Sequence, residues 1–243
     1  MKAIIGLDAG HGGSSSGTYS CNTTKDGLFE KDFALELVLD IEEKLLANGF
    51  GAVLTRRTDV NPGTVVERAR KMIEGGADFA LSVHFNGFGT QSANGTEVFV
   101  PYKETAAGIE ARLQGVLTKY FRQRKPFARS NNYYNRNETF DKKLNLDTRK
   151  FDAVADKSDY FGFIRTCWQS HVSADLLEIC FLTNPADFKA YTENRGAIAD
   201  GIARSIVEAF GEEYVSVCSS EHTAKPRIQK KGNSKSPFLN VRE

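Results

Sequence analysis

Four histidines occur in the 243-residue chain: His11, His84, His171 and His222. Two of them stand where chemistry is usually built. His11 follows a short apolar run, in Asp8-Ala9-Gly10-His11-Gly12-Gly13, and His84 closes another, in Leu81-Ser82-Val83-His84-Phe85-Asn86. A single histidine is most often a hydrogen-bonded structural residue; two at equivalent strand ends favour a metal site. His171 and His222 have no partners at ligand spacing and read as surface or loop residues. Glu178 interrupts the apolar run Asp175-Leu176-Leu177-Glu178-Ile179-Cys180-Phe181. An ionised carboxylate in such a strand is costly unless a charge or a metal compensates it. It reads either as a general base near a metal or as an edge-strand residue facing water. Glu30, at the start of a helix, reads as a ligand or simply as an acid favoured by the helix dipole. The gaps between His11, Glu30 and His84 match no short ligand signature. Two imidazoles and one carboxylate suit zinc, with a fourth position open to water. With a further glutamate nearby they form the minimum set for metal-assisted amide hydrolysis.

The elements that must position these residues follow from periodicity. Residues 3–8 read as a buried strand, followed by a Gly/Ser-rich loop to about Ser20. From about Lys31 to Asn48, Ala34, Leu37, Val38, Ile41 and Leu45 fall on one helical face, with Gly49 as the stop. Gly51–Thr55 reads as a strand, Thr64–Glu74 as an amphipathic helix, and Asp78–His84 and Gly95–Val100 as strands. Thr105–Phe121 reads as a helix and Ala174–Phe181 as a strand. Ile198, Ile202, Ile206 and Phe210 stripe a last helix that stops at Gly211. Strands alternating with helices predict an α/β fold: one three-layer domain, with a mostly parallel twisted sheet of about six strands and helices on both faces. In such sheets the ligand site lies beyond the carboxyl ends of the strands.

Two stretches break this pattern. Residues 122–165 are basic and aromatic without a period, and read as a long insertion over the active edge. From about residue 212 to 243 the chain reads as a flexible basic tail, with six basic and two acidic residues over 214–243. The overall charge of +1 offers no argument for nucleic acid or an anionic membrane. No window approaches the ~20 apolar residues of a membrane span, which excludes an integral membrane protein. The four cysteines show no CxxC spacing and read as reduced thiols. The amino terminus carries no signal peptide, since Asp8 interrupts its short apolar run; the expectation is synthesis in the cytoplasm.

The chain resembles the zinc-dependent N-acetylmuramoyl-L-alanine amidases of the Amidase_3 type, found in bacterial autolysins and phage endolysins. The matching pieces occur in the family's order: Gly6-Leu7-Asp8-Ala9-Gly10-His11-Gly12-Gly13, Glu30-Lys31-Asp32, Leu54-Thr55-Arg56-Arg57-Thr58-Asp59, and Arg68 ten residues before Asp78. They continue through Ser82-Val83-His84-Phe85-Asn86-Gly87, Gly95-Thr96-Glu97-Val98, Leu177-Glu178-Ile179-Cys180-Phe181-Leu182-Thr183-Asn184-Pro185 and Ile198-Ala199-Asp200-Gly201-Ile202. The likeness covers roughly residues 3–211 apart from the insertion. It implies a catalytic domain over 1–211 and His11, Glu30 and His84 as ligands of one zinc ion. It also implies Glu178 as the catalytic glutamate, and it leaves Glu36 as a rival ligand. Asn86 would lie near the metal as a substrate contact or form a turn. The chain departs from the family with Cys180 where glycine is usual, with Met72-Ile73 where Ala-Asn is frequent, and with a longer, more aromatic insertion.

The resemblance further implies peptidoglycan as the substrate, cut at the amide between N-acetylmuramic acid and L-alanine. With no export signal visible, it points to a phage endolysin acting on the wall after release. A bacterial autolysin, sporulation or lysis amidase is the alternative. Cys180 is the rival nucleophile, but its position two residues from Glu178 favours a small buried filler. A nucleic-acid-binding role for the insertion is the weaker reading. Six acids (Glu138, Asp141, Asp147, Asp152, Asp156, Asp159) dilute its charge, and no nucleic-acid partner is expected. Nothing in the sequence speaks to oligomeric state.

Overall fold

The computed structural model describes residues 2–21, 28–101, 108–124 and 161–216. In chain order the elements are β1 (Ile4–Ala9), α1 (Glu30–Ala47), β2 (Gly51–Leu54), α2 (Val65–Glu74) and β3 (Phe79–Asn86). Then come β4 (Glu97–Phe99), α3 (Ile109–Leu117), α4 (Gly162–Gln169), β5 (Ser173–Phe181) and α5 (Pro185–Ala209). The strands form one sheet in the order β2-β1-β3-β5-β4. Its first four members are parallel, and β4 runs antiparallel to β5.

Five strands stand among the described residues, where about six were expected, and β4 is reversed. Parallel neighbours need a crossover of a dozen or more residues, usually helical. Residues 87–96 carry no helix, so β4 comes back antiparallel as a three-residue edge strand. β5 then slots between β3 and β4, which makes it an interior strand.

The sheet is covered on both faces, which is why its strands read as near-continuous apolar runs. On one face Ile5, Leu7, Leu81, Val83, Leu177 and Ile179 are buried with the stripe of α1 (Ala34, Leu37, Val38, Ile41, Leu45) and with Ile198, Ile202 and Ile206 of α5. On the other face Ala80 and Ala174 meet Ala69 and Met72 of α2 and Phe163 and Cys167 of α4. Each large aliphatic side chain so buried contributes about 1.5–3 kcal/mol. Met72 leaves no room on β1, because a Cβ at Gly6 would lie 2.7 Å from its sulfur.

Local signals set the helix starts. Thr64 caps α2, accepting from the Glu67 amide (3.3 Å), while the Glu67 carboxylate accepts from the Thr64 amide (2.7 Å). Asn184 caps α5 through the amides of Ala186 and Asp187, with Pro185 at the first helical position. That helix therefore begins well before the stripe at Ile198 from which it was inferred. Helix α4 was not expected; it closes the basic aromatic stretch, burying Phe163, Ile164 and Cys167. Residues 125–160 of that stretch and 217–243 of the tail lie outside the described residues. The described residues past Gly211 stay attached. The Tyr214 hydroxyl donates to Asp200 (2.6 Å), and the Val215 amide donates to Asn48 (2.8 Å).

Candidate metal centre

His11 lies two residues past β1, His84 sits near the end of β3, and Glu30 is the first residue of α1. The structure brings the three together at the carboxyl edge of the parallel strands. One Glu30 oxygen, Oε1, lies 2.9 Å from His84 Nδ1 and 3.2 Å from His11 Nε2. The two imidazoles pack edge to face with centroids 5.1 Å apart. One ligand atom from each residue falls within 4.8 Å of the other two. Ligands about 2.0–2.1 Å from a tetrahedral ion are separated by roughly 3.3 Å, so this donor set fits a small divalent metal.

Glu30 is held as an ionised acceptor. It is buried, and its second oxygen accepts from the Thr18 amide (2.9 Å) while Oε1 also accepts from the Phe85 amide (3.1 Å). Burial opposes its charge, but the hydrogen bonds and charges of His11 and His84 hold its carboxyl well below the usual carboxylate range. The approach is tight. Gly17 has φ +68°, and a Cβ there would strike the Glu30 carboxylate and come within 2.8 Å of the His11 ring. His11 Nδ1 faces the Ser15 hydroxyl at 3.0 Å, which leaves Nε2 toward Glu30. Glu36, the rival ligand, is spent elsewhere: it accepts from Arg195 at 2.6 Å.

Glu178 is the parallel-register partner of His84 and the antiparallel partner of Glu97. His84, Glu178 and Glu97 thus form a row across three strands on one face. Just past this row the register slips: His84 faces Glu178, but Asn86 faces Phe181, so β5 spends an extra residue there. Such bulges commonly re-aim side chains beside sites. Burial, then the charges of Glu30 and Glu97, push the Glu178 carboxyl well above the usual range. Its Oε2 is enclosed and has no hydrogen-bond partner among the described residues. A half-buried carboxyl so placed can exchange a proton with a neighbouring water. Glu178 is not on an edge strand, because β5 lies between β3 and β4; its side chain is half-buried.

Asn86 lies inside β3 rather than in a turn, and its amide donates to Glu97 Oε2 (3.2 Å). Cys180 is fully buried in the main core, and burial, with help from Asp187 and Glu178, pushes its thiol well up. That is the environment of a filler, not of an activated thiolate. His171 is exposed at a left-handed turn (φ +62°); His222 lies outside the described residues.

Two features beneath the centre were not singled out from the sequence. Asp8 is fully buried, paired in two-pronged fashion with Arg68 of α2, and accepts from the Ser82 hydroxyl (2.6 Å). Glu97 is a second buried acid in an apolar strand. The reasoning that marked Glu178, a charge inside a buried run, applies equally to both.

Fold and site together define an α/β protein with a His-Glu-His group that could hold a metal ion at the carboxyl edge of its parallel strands. A family model described as N-acetylmuramoyl-L-alanine amidase, Amidase_3, matches residues 5–208, and the chain belongs to that family. It is 36% identical over 118 residues to the endolysin of Bacillus phage SPP1, covering 48% of this chain and 41% of that one. It is 35% identical over 115 residues to the N-acetylmuramoyl-L-alanine amidase LytC of Bacillus subtilis, covering 47% and 22%. Among solved structures, the amidase AmiC2 of Nostoc punctiforme shares the fold, with a TM-score of 0.61 at 23% identity over 87% of this chain and 99% of that one. The matched part spans about two fifths of the length of the phage endolysin.

Proposed function

We propose that this chain is a zinc-dependent N-acetylmuramoyl-L-alanine amidase, hydrolysing the amide that joins the lactyl group of muramic acid to L-alanine in peptidoglycan. The observation that carries the reading is the row that sets Glu178 beside His84, itself one corner of the His11–Glu30–His84 donor set. His11, Glu30 and His84 would hold one zinc ion. When bound, zinc supplies Lewis acidity, acidifying water and stabilising negative charge on a carbonyl oxygen. Glu178 takes the proton of the attacking water and passes it to the departing amine of L-alanine. A carboxyl with raised proton affinity suits that delivery near neutral pH. Asn86, whose amide donates to Glu97 beside the row, would be a substrate contact in this reading.

The matched span of 5–208 supports a catalytic domain that ends near Gly211. Likeness to a phage endolysin supports a lysin acting on the host wall after release. The nearly equal likeness to LytC keeps a bacterial autolysin as the second reading. No helix among the described residues is long and apolar enough to cross a membrane.

Purified cell-wall sacculi digested with this protein, with and without a chelator, test the reading by mass spectrometry. The expected result is chelator-sensitive appearance of stem peptides with a free L-alanine amine. Products cut elsewhere, or no chelator-sensitive cleavage, overturn it.

A further inference from the structure

We infer that the loop after β2 is the positioning shell of the metal centre: Arg56 and Asp59 tie the segment after His11 to Lys31, the residue after Glu30, and thereby set the metal affinity of the ligand pair. The inference rests on the metal-centre reading above, but not on the substrate.

Arg56 is almost fully buried, yet no carboxylate pairs with it among the described residues. Its guanidinium is spent on backbone carbonyls instead. Nε donates to His11 (2.8 Å) and Ala9 (3.2 Å), and Nη2 donates to Gly10 (2.9 Å) and to Lys31 (2.7 Å). Nη1 closes on Thr58 (3.4 Å), within its own loop. One planar group therefore ties the segment carrying His11 to the residue that follows Glu30. Burying a cation among carbonyls is costly unless every donor is used, and only a fork with five N–H groups can use them so.

Asp59 repeats the tie from outside. Its Oδ1 accepts from the Gly13 amide (2.8 Å) and its Oδ2 from Lys31 Nζ (2.6 Å), while the same ammonium donates to the Gly13 carbonyl (2.9 Å). Between the two ties His11 is held in the left-handed region, rare for a residue with a Cβ, and Gly12 takes a positive φ open only to glycine. His11 has φ +59° and Gly12 φ +140°, and a Cβ on Gly12 would strike the Val60 carbonyl. Neither Arg56 nor Asp59 offers an atom to the ion. Both act through His11 and Glu30, which lie on a loop and a helix start and have no short-range sequence link to fix their spacing. Freed of the ties, the loop would have to be ordered each time an ion binds, and affinity would fall.

The test uses the full chain with Arg56→Lys, Asp59→Asn and, as a control, Arg57→Lys. Arg57 is the neighbouring, largely exposed arginine that pairs with Glu42. Zinc affinity is measured by competition against a chromophoric chelator, and site geometry by the visible spectrum of the cobalt-substituted protein. Stability is measured by unfolding of the metal-free protein. Arg56→Lys is expected to weaken zinc roughly tenfold to a hundredfold and to alter the cobalt bands. Asp59→Asn, at an exposed position, is expected to weaken it roughly two- to tenfold with little change in metal-free unfolding. Arg57→Lys is expected to change neither. Should Arg56→Lys fail to fold, Asp59→Asn decides. Wild-type affinity and an unchanged cobalt spectrum in Asp59→Asn and in any folded Arg56→Lys overturn the positioning role alone. A wild-type protein that takes up no zinc overturns the metal centre and this role with it.

Discussion

Replacing Arg68 with methionine isolates a buried charge pair, Arg68 with Asp8. Asp8 is completely enclosed, and its carboxylate is met by both prongs of Arg68 and by the Ser82 hydroxyl. Methionine fills much of the arginine's volume but leaves a carboxylate with one hydroxyl for company. Removing one partner of such a pair costs about 3–5 kcal/mol, because the remaining charge stays buried without compensation. For a domain of about 200 residues each kcal/mol shifts the unfolding midpoint by about 2–4 °C, so the expected loss is roughly 6–20 °C. The pH dependence identifies the cause. Burial raises the Asp8 carboxyl, but Arg68 outweighs it and holds the group below its ordinary value. In the wild type this contribution is present above the unfolded-state value and is lost only as pH falls through the lower folded value. In Arg68→Met burial wins, the folded carboxyl rises above its unfolded value, and the penalty is relieved as pH falls through it. The stability gap between the two proteins should therefore narrow from pH 7 toward pH 5. Urea unfolding of the metal-free proteins at several pH values measures it. A gap independent of pH, or one under about 1 kcal/mol, refutes the reasoning. The pair change Asp8→Leu with Arg68→Met should recover much of the loss.

Three further outcomes follow from the site. Glu178→Gln should retain zinc by metal analysis and lose about 10²–10⁴-fold in kcat on sacculi; activity within tenfold of wild type removes Glu178 from proton transfer. His84→Ala should drop bound zinc from about one per chain toward none by mass spectrometry of the metal, since two donors hold it poorly. Cys180→Ala, a small change in a packed core, should cost about 1 kcal/mol or so in urea unfolding and leave chelator-sensitive activity in place. Loss of activity with full folding would revive a thiol mechanism.

The parts of this fold legible in the sequence are those governed by local periodicity and by charge in apolar runs. The α1 stripe from Ala34 to Leu45 is buried as its spacing demanded, and Glu178 stood out because a carboxylate between Leu177 and Ile179 called for either a water-facing edge or a compensating charge. His11, just past β1, and His84, near the end of β3, were located by the apolar runs before them. Glu30 was harder. As the first residue of a helix it satisfies the helix dipole without any metal, and only the contact of its carboxylate with both imidazoles distinguishes the two roles. The direction of β4 and the slot taken by β5 depend on pairings between residues some eighty apart in sequence, which no local pattern encodes. Arg56 was equally opaque, since its partners are backbone carbonyls, and a carbonyl has no residue type to read.

The two outer strands are unusually brief: four residues in β2 and three in β4. Beside β4, residues 122–124 occupy hydrogen-bonding positions: the Thr96 amide donates to the Arg122 carbonyl, and the Arg124 amide donates to the Thr96 carbonyl. A long free edge is what lets a sheet capture an extended peptide as an additional strand. This sheet offers little such ladder at either margin. Under the proposed function, the peptide of the substrate would therefore be held by side chains along the rim above the strand ends rather than by strand addition. Recognition here is a matter of how the rim is furnished, and loops can be exchanged there without disturbing a single strand pairing.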